Sequence, residues 1–277
     1  MSNESYFLEI SDKGSENLEI LDFCFNPTTQ EFLLSSGLKP GMTVLDIGCG
    51  SGLMTCWIAQ KVGLSGHVIG IENDKNQLNA ARKRAEALAI KNIEFKLCSA
   101  YDIDTLNKNF DLVYCRFVLH HLHDPDSVIR KIFQILKPDG VYVAEEGIVN
   151  FAFSYPFSSA WGDECVRLPP PWVDSGKDER DGNLGIKMLH KMQSAGFKMI
   201  TAKIIHPLLI SRDEKALLLS GREELKNYYL QQGHTLDEWV TLGKETEKVI
   251  NNDAQIIGFY ASCQAVGWVE RSEAQQI

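Results

Sequence analysis

"TVLDIGCGSG", residues 43–52, decides the fold of this chain. Thr43 to Ile47 is a short apolar run of strand character, and it passes directly into a glycine-rich turn. Such turns hold phosphates or nucleosides at the carboxyl edge of a parallel sheet. A phosphate-binding loop would need GxxxxGK[ST], and no lysine stands here. A dinucleotide fingerprint would read GxGxxG. Here Gly48, Gly50 and Gly52 read GxGxG, and Leu53 takes the place of the third dinucleotide glycine. Asp46 sits two residues before the first glycine. A carboxylate there repels phosphate and suits a cation or an amine, unless it only caps or pairs within the turn. Glu72, twenty residues after Gly52, ends the next strand run. An acid at that place accepts hydrogen bonds from ribose hydroxyls. Turn and acid together point to a nucleoside bearing a positive charge.

Strand and helix signals alternate outward from this stretch. Strand runs are expected at 43–47, 67–72, 93–98, 110–115 and 140–145. Between them, "KNQLNAARKRAEALAI" sets Leu78, Ala81, Ala85 and Leu88 on one helical face. In "DPDSVIRKIFQILKPDG", Asp124 caps, Pro125 fits the first turn, and Val128, Ile129, Ile132, Phe133 and Leu136 form the stripe; Pro138 and Gly140 end it. A helix over 185–195, a strand over about 197–205 and a closing strand run in "IIGFYASCQAVGWVE" complete the pattern. The predicted fold is α/β, a doubly wound, mostly parallel seven-stranded sheet of Rossmann-like kind. Residues 1–40 read as an N-terminal helical cap and 41–277 as the main domain. Insertions at about 147–182 and 211–253 read as cover for the site. The first holds Phe151, Phe153, Tyr155 and Phe157 within seven residues; in the second, Ser211 with Glu214 and Thr235 with Glu238 have capping-box spacing.

Composition narrows the function. The chain has 277 residues, 44% of them hydrophobic, and a formal net charge of −9. That balance disfavours a nucleic-acid partner. No apolar run reaches the roughly 18 residues of a membrane span. The stretch "MSNESYFLEISDKGSENLEI" lacks a basic segment followed by an apolar core, which argues against a signal peptide and for a cytoplasmic location. Seven cysteines are scattered without a CxxC pair, and read as reduced core thiols with no metal site.

The stretches "VLDIGCGSG", "VIGIEND" and "FDLVYCRFVLHHLHDPDSVIRKIFQILKPDGVYVAEE" together resemble class I S-adenosylmethionine-dependent methyltransferases, by motif over roughly residues 40–146. The resemblance implies S-adenosyl-L-methionine as cofactor, S-adenosyl-L-homocysteine as product and a small-molecule methyl acceptor. It places Asp46 by the methionine amino group, directly or through water. Gly48, Cys49, Gly50 and Gly52 then lie by the carboxylate end, Glu72 at the ribose, and Asn73 and Gln77 near the adenine. The family pattern has an acid at the end of the third strand; this chain has Ser99 there, which leaves the adenine contact open among the Ser99 hydroxyl, the Ala100 N–H, and Tyr101 or Asp102. Arg116 and Phe117 would face the sulfonium and the acceptor.

Methyl transfer needs alignment and water exclusion, and a base only where the acceptor must lose a proton. His121 in "LHHLHD" is the expected base, ahead of His120 and His123; packing or capping is the competing role. Glu146 is expected at the acceptor, as are Tyr155, Trp161 and Trp172 of the aromatic insertion; Glu145 and Glu146 also read as a solvated strand end. The absence of [DN]PPY after the fourth strand disfavours enzymes that methylate adenine or glutamine amino groups. A nicotinamide oxidoreductase, an RNA or protein methyltransferase and a non-catalytic cofactor-binding regulator are the competing classes.

Overall fold

A computed structural model describes residues 12–158, 181–219, 226, 229–231 and 233–270. Trp161 and Trp172, expected at the acceptor, lie outside the described residues.

In chain order, helix α1 (Asp12–Ser35) precedes β1 (Thr43–Ile47), α2 (Leu53–Val62), β2 (His67–Glu72), α3 (Lys75–Ala87) and β3 (Ile93–Leu97). Then come β4 (Phe110–Arg116), α4 (Pro125–Ile135), β5 (Leu136–Ile148), β6 (Phe153–Tyr155), α5 (Leu184–Ala195) and β7 (Lys198–Ile205). The rest is β8 (Leu208–Leu209), α6 (Arg212–Lys215), α7 (Leu236–Ile250), β9 (Ile256–Gly258) and β10 (Ala261–Trp268).

The main sheet has seven strands in the order β3-β2-β1-β4-β5-β10-β7. β1 pairs parallel with both β2 and β4, β2 with β3, and β4 with β5. The expected doubly wound fold is therefore present. The chain winds outward from β1 to β3, then returns to lay β4 on the other side of β1. This reversal opens a crevice at the carboxyl ends of β1 and β4, where such sheets bind ligands. Both sheet faces need cover, and the inner strands β1, β2 and β4 are almost wholly buried, whereas the edge strands β3 and β7 carry exposed charges. Val44, Leu112, Tyr114 and Val143 pack with Phe32, Leu33 and Leu38 and with Ile58, Ala59 and Val62 of α2, all buried.

Two compact units interleave along the chain. One gathers 28–147, 181–204 and 262–270 and carries the seven-stranded sheet. The other gathers 12–27, 148–158 and the described part of 205–261. It holds a small antiparallel sheet, β6-β9-β8, which the sequence did not announce. Both capping boxes form in this unit: Ser211 with Glu214 opens α6, and Thr235 with Glu238 opens α7. Lys215 of α6 is fully buried and donates to the carbonyls of Asn252, at 2.7 Å, and Gln255.

Some expectations fail for local reasons. Asp124 caps α4 by accepting from the Ser127 N–H, as expected, but the helix stops at Ile135. Leu136 is extended and pairs with Phe110. The Pro138 ring forces its neighbour out of the helical region, and the chain straightens before reaching it. Leu88 is half-exposed at the end of α3, off the buried face. The closing apolar run is two strands in different sheets. Phe259 donates its N–H to the Pro207 carbonyl, and its own carbonyl lies 2.9 Å from His206 Nε2, so it leaves the ladder.

The glycine turn is shaped by packing as well as by φ. A Cβ on Gly52, at φ +79°, would stand 2.8 Å from Ala81 Cβ and 3.2 Å from the Phe95 ring. The glycine thus lets α2 start against α3 and β3. Gly52→Ala is expected to lower stability by about 1–3 kcal/mol through overpacking, read from the urea unfolding midpoint. An unchanged midpoint would mean that the close approach is not required.

Candidate active site

The site is built at the carboxyl edge of β1, β2, β4 and β5. Asp46 of β1 is buried, and its Oδ2 accepts from the Thr55 hydroxyl of α2 at 2.6 Å. The glycine turn follows. The N–H groups of Gly48 and Cys49 both donate to the Ile71 carbonyl of β2, which ties the turn to its neighbour strand. A Cβ on Gly48 would meet Val118 Cγ2 at 2.2 Å, so the segment after β4 packs directly on the turn. At Gly50 the position of a Cβ has no atom within 4 Å among the described residues. That open place, flanked by two acids, fits a ligand passing close to the backbone.

Glu72 ends β2 and is 5% exposed. Its Oε2 accepts from the Gly50 N–H at 3.0 Å, and its Oε1 accepts from the N–H groups of Asn73 and Asp74. The acid thus joins the turn after β1 to the start of α3. A carboxylate offers about four lone-pair positions, and three are used here. Burial raises the Glu72 carboxyl above its ordinary range, and the three N–H donors pull it only part of the way back. Asn73 is exposed, whereas Gln77 is buried in the first turn of α3. Asp74 caps that helix through the N–H groups of Asn76 and Gln77.

Past β3, Ser99 acts as a cap. Its hydroxyl accepts from the Tyr101 N–H and opens the 3₁₀ turn Ala100–Leu106, with Ala100 buried. The Tyr101 hydroxyl accepts from the Asp124 N–H at 3.1 Å, which ties this turn to the start of α4.

The segment after β4 carries the most densely bonded part of the site. Phe117 has φ +54°, an unusual conformation for a bulky residue. It turns the chain sharply into the 3₁₀ turn Leu119–His121. The Arg116 guanidinium lies over the Phe117 ring and also reaches Thr29 Oγ1 at 3.4 Å. Arg116 therefore engages α1 in addition to lining the strand end.

Glu145 and Glu146 are not a solvated strand end; they are 1% and 0% exposed. Alternation along β5 sends them to opposite faces. Glu145 accepts from Thr29 Oγ1 at 2.6 Å, Ser262 Oγ at 2.7 Å and Gln264 Nε2 at 3.2 Å. Glu146, expected at the acceptor, instead spends its carboxylate inside the protein. It accepts from the N–H groups of Val118, Leu119 and His120, and meets the His120 ring Nδ1 at 2.6 Å. An ion with no solvent contact needs donors on both oxygens, and these supply them. His121, the expected base, lies against the His120 ring with centroids 3.9 Å apart and the ring planes tilted by 45°. Tyr155 lies on β6 of the small sheet and is largely exposed.

Three features escaped the sequence: Thr55 on Asp46, Thr29 on Glu145, and the pairing of Glu146 with His120. The signal for the last two was present. Two acids inside the apolar run "VYVAEEGIV" of a central strand cannot stay unpartnered.

Comparison with known proteins finds methyltransferases. Residues 38–167 match the family described as "Methyltransferase domain". A phosphoethanolamine N-methyltransferase 1 of Arabidopsis thaliana is 35% identical over 113 residues, 41% of this chain and 22% of that protein. A demethylmenaquinone methyltransferase of Lactobacillus johnsonii is 34% identical over 116 residues, 42% of this chain and 48% of that one. The chain thus matches less than half the length of either relative. The crystal structure of the [4+2]-cyclase SpnF has the same fold, with a TM-score of 0.57 and 18% identity over 89% of this chain and 82% of that one. The fold alone therefore does not fix the reaction.

Glu72→Ala is expected to weaken S-adenosylmethionine binding by roughly tenfold to a hundredfold, since a hydrogen bond to a charged group is worth about 1.5–3 kcal/mol. Titration calorimetry reads this directly, and equal affinity would place the ribose elsewhere. The pH dependence follows from the raised carboxyl. Ionised Glu72 is the acceptor, so acidification should weaken binding at a pH above the ordinary glutamate range. The Glu72→Gln variant should lack that inflection.

Proposed function

We propose, from a domain that is of the class I S-adenosylmethionine-dependent methyltransferase family by motif, strand order and family match, that this chain transfers a methyl group to a small-molecule acceptor. One observation carries the donor assignment. Two buried acids, Asp46 and Glu72, flank a glycine turn whose centre is open at Gly50. That pair of acceptors fits an amine, a ribose and a positive charge, and it opposes the pyrophosphate of a nicotinamide dinucleotide. Bound there, S-adenosylmethionine supplies an electrophilic methyl on a sulfonium, whose sulfur takes back the bonding pair as the methyl leaves.

The residues of the chain have distinct parts in this reading. Asp46, held by Thr55, sits where the amino group is bound. Glu72 receives the ribose while keeping the turn tied to β2 through Gly50. Ser99, Ala100 and Tyr101 form the adenine wall, with the Ser99 hydroxyl already used as a cap and the Ala100 N–H as a candidate donor. Gln77, buried in α3, closes the same side, and Asn73 lies at its solvent edge. Phe117, turned by its positive φ, stands at the end of β4 with the Arg116 guanidinium over one face of its ring, so cation–π attraction to the sulfonium, worth about 0.5–2 kcal/mol for a desolvated cation, would need the opposite face.

The named relatives act on small molecules, phosphoethanolamine and demethylmenaquinone. No helix among the described residues is long and apolar enough to cross a membrane. Calorimetric titration tests the donor: saturable heat with S-adenosylmethionine and none with NADH is expected, and the reverse would overturn the reading. Turnover should release S-adenosylhomocysteine when phosphoethanolamine or a short-chain naphthohydroquinone is supplied. Donor binding without product across these and wider acceptor panels would instead favour a non-catalytic binder.

A further inference from the structure

We propose that His120, oriented by Glu146, is the group that takes the proton from the methyl acceptor, and that this acceptor carries an ionisable O–H or N–H. The proposal rests on the methyl-transfer reading and moves the proton-accepting part from His121 to its neighbour.

The geometry of the pair is specific. Nδ1 of His120 lies 2.6 Å from Glu146 Oε2, a short contact of charge-assisted kind. The ionised carboxylate can only accept, so Nδ1 carries the hydrogen and Nε2 keeps its lone pair. Glu146 is itself immobilised by the N–H groups of Val118, Leu119 and His120. One carboxylate therefore fixes the backbone of the turn and the tautomer of the ring together. The ring is held on its other sides by the Phe117 edge at 6.3 Å between centroids and by His121 at 3.9 Å. Its side chain keeps 12% exposure, whereas that of Glu146 keeps none. The loop that holds it packs on the glycine turn through Val118 and Gly48, beside the switch point between β1 and β4. Among the described residues, His121 lies against the His120 ring, Asp181 donates its N–H to the His120 carbonyl, and Cys115, Tyr142 and Cys263 lie close enough to Glu146 to feel its charge.

Charge explains why such a pair would be built. With the ring neutral, the pair holds a buried negative charge. Uptake of one proton at Nε2 makes it a neutral ion pair with no new charge taken out of water. The proton step balances as follows. The acceptor O–H or N–H bond breaks, and the proton goes to Nε2. The pair left on oxygen or nitrogen, or delocalised from oxygen to a ring carbon, forms the bond to the methyl carbon. The imidazolium is then held against Glu146 until water takes its proton. Both probes named above fit this chemistry: phosphoethanolamine is an ammonium at neutral pH, and a naphthohydroquinone carries phenolic hydroxyls.

Long-range ¹⁵N NMR of the imidazoles of the full chain tests the pair without any acceptor. His120 should show the Nδ1–H tautomer at neutral pH, and Glu146→Gln should abolish that preference. An Nε2–H tautomer in the native protein would overturn the proposal. Turnover is measured with S-adenosylmethionine and the two probes in His120→Asn, whose amide can still donate to Glu146, and in His120→Ala. A hundredfold or larger fall in kcat is expected, with S-adenosylmethionine affinity within twofold. Added imidazole should restore part of the activity of His120→Ala, which a purely structural role would not allow. An undiminished kcat in His120→Asn, or a loss seen only in His121→Ala, would overturn the assignment. Native protein that binds the donor but methylates neither probe bears on the methyl-transfer reading, and the tautomer then decides the pair by itself.

Discussion

A carboxylate cannot leave water without donors, and four of them stand buried at the carboxyl edge of this sheet. Asp46, Glu72, Glu145 and Glu146 are each 5% exposed or less. Each therefore dictates what surrounds it. Asp46 takes the Thr55 hydroxyl, and Glu72 takes the N–H groups of Gly50, Asn73 and Asp74. Glu145 gathers Thr29, Ser262 and Gln264 from elements far apart in the chain. Glu146 gathers three consecutive backbone N–H groups and an imidazole. The acids hold together the strand ends that form the crevice. Losing Glu72, Glu145 or Glu146 would strand several donors at once, a larger cost than a single hydrogen bond.

The division of labour among them follows from what each has left to offer. Glu145 and Glu146 satisfy the interior: their oxygens face α1 and β10 in one case and the turn after β4 in the other. Glu72 also serves the fold, but Oε2 has accepted only the Gly50 N–H, at the point where the turn is open. Under the methyl-transfer reading, a ribose hydroxyl would share the oxygen that positions Gly50, so structural and ligand-binding demands would meet on one atom there.

The architecture was legible in the sequence because its signals are local. The strand runs, the GxGxG turn, the Asp124 cap and both capping boxes depend on residues within one or two turns of each other. What was not legible depends on contacts across the chain. Thr29 lies 116 positions from Glu145. The break at Phe259 is set by His206 and Pro207 and looks from the sequence like uninterrupted strand. The choice between His120 and His121 depends on how the 3₁₀ turn after Phe117 is rotated, which follows from a positive φ that no residue preference announces. The depth of Glu146, which also read as a solvated strand end, was not legible for the same reason: it is a property of the packed sheet. Ser99 departed visibly from the family pattern, and the structure gives it a local use as the cap of the turn after β3.

The acid-rich edge also bears on the cysteines around it. Cys49 stands inside the glycine turn, Cys115 on β4 and Cys263 on β10, all buried. A sulfonium methyl donor alkylates thiolates readily, so a reactive thiol at this edge would compete with any acceptor. Burial raises all three thiols, and the carboxylates raise them further: Asp46 and Glu72 at Cys49, Glu146 and Asp46 at Cys115, and Glu145 and Glu146 at Cys263, pushed up to about 11. The thiolate is the nucleophile, and near neutral pH these groups stay protonated. Burial first, and the neighbouring carboxylates after it, thus keep these thiols protonated, and the same negative charges would favour a cationic donor. That consistency between attracting the sulfonium and protecting the wall is what a phosphate-binding turn, with its basic surroundings, would not provide.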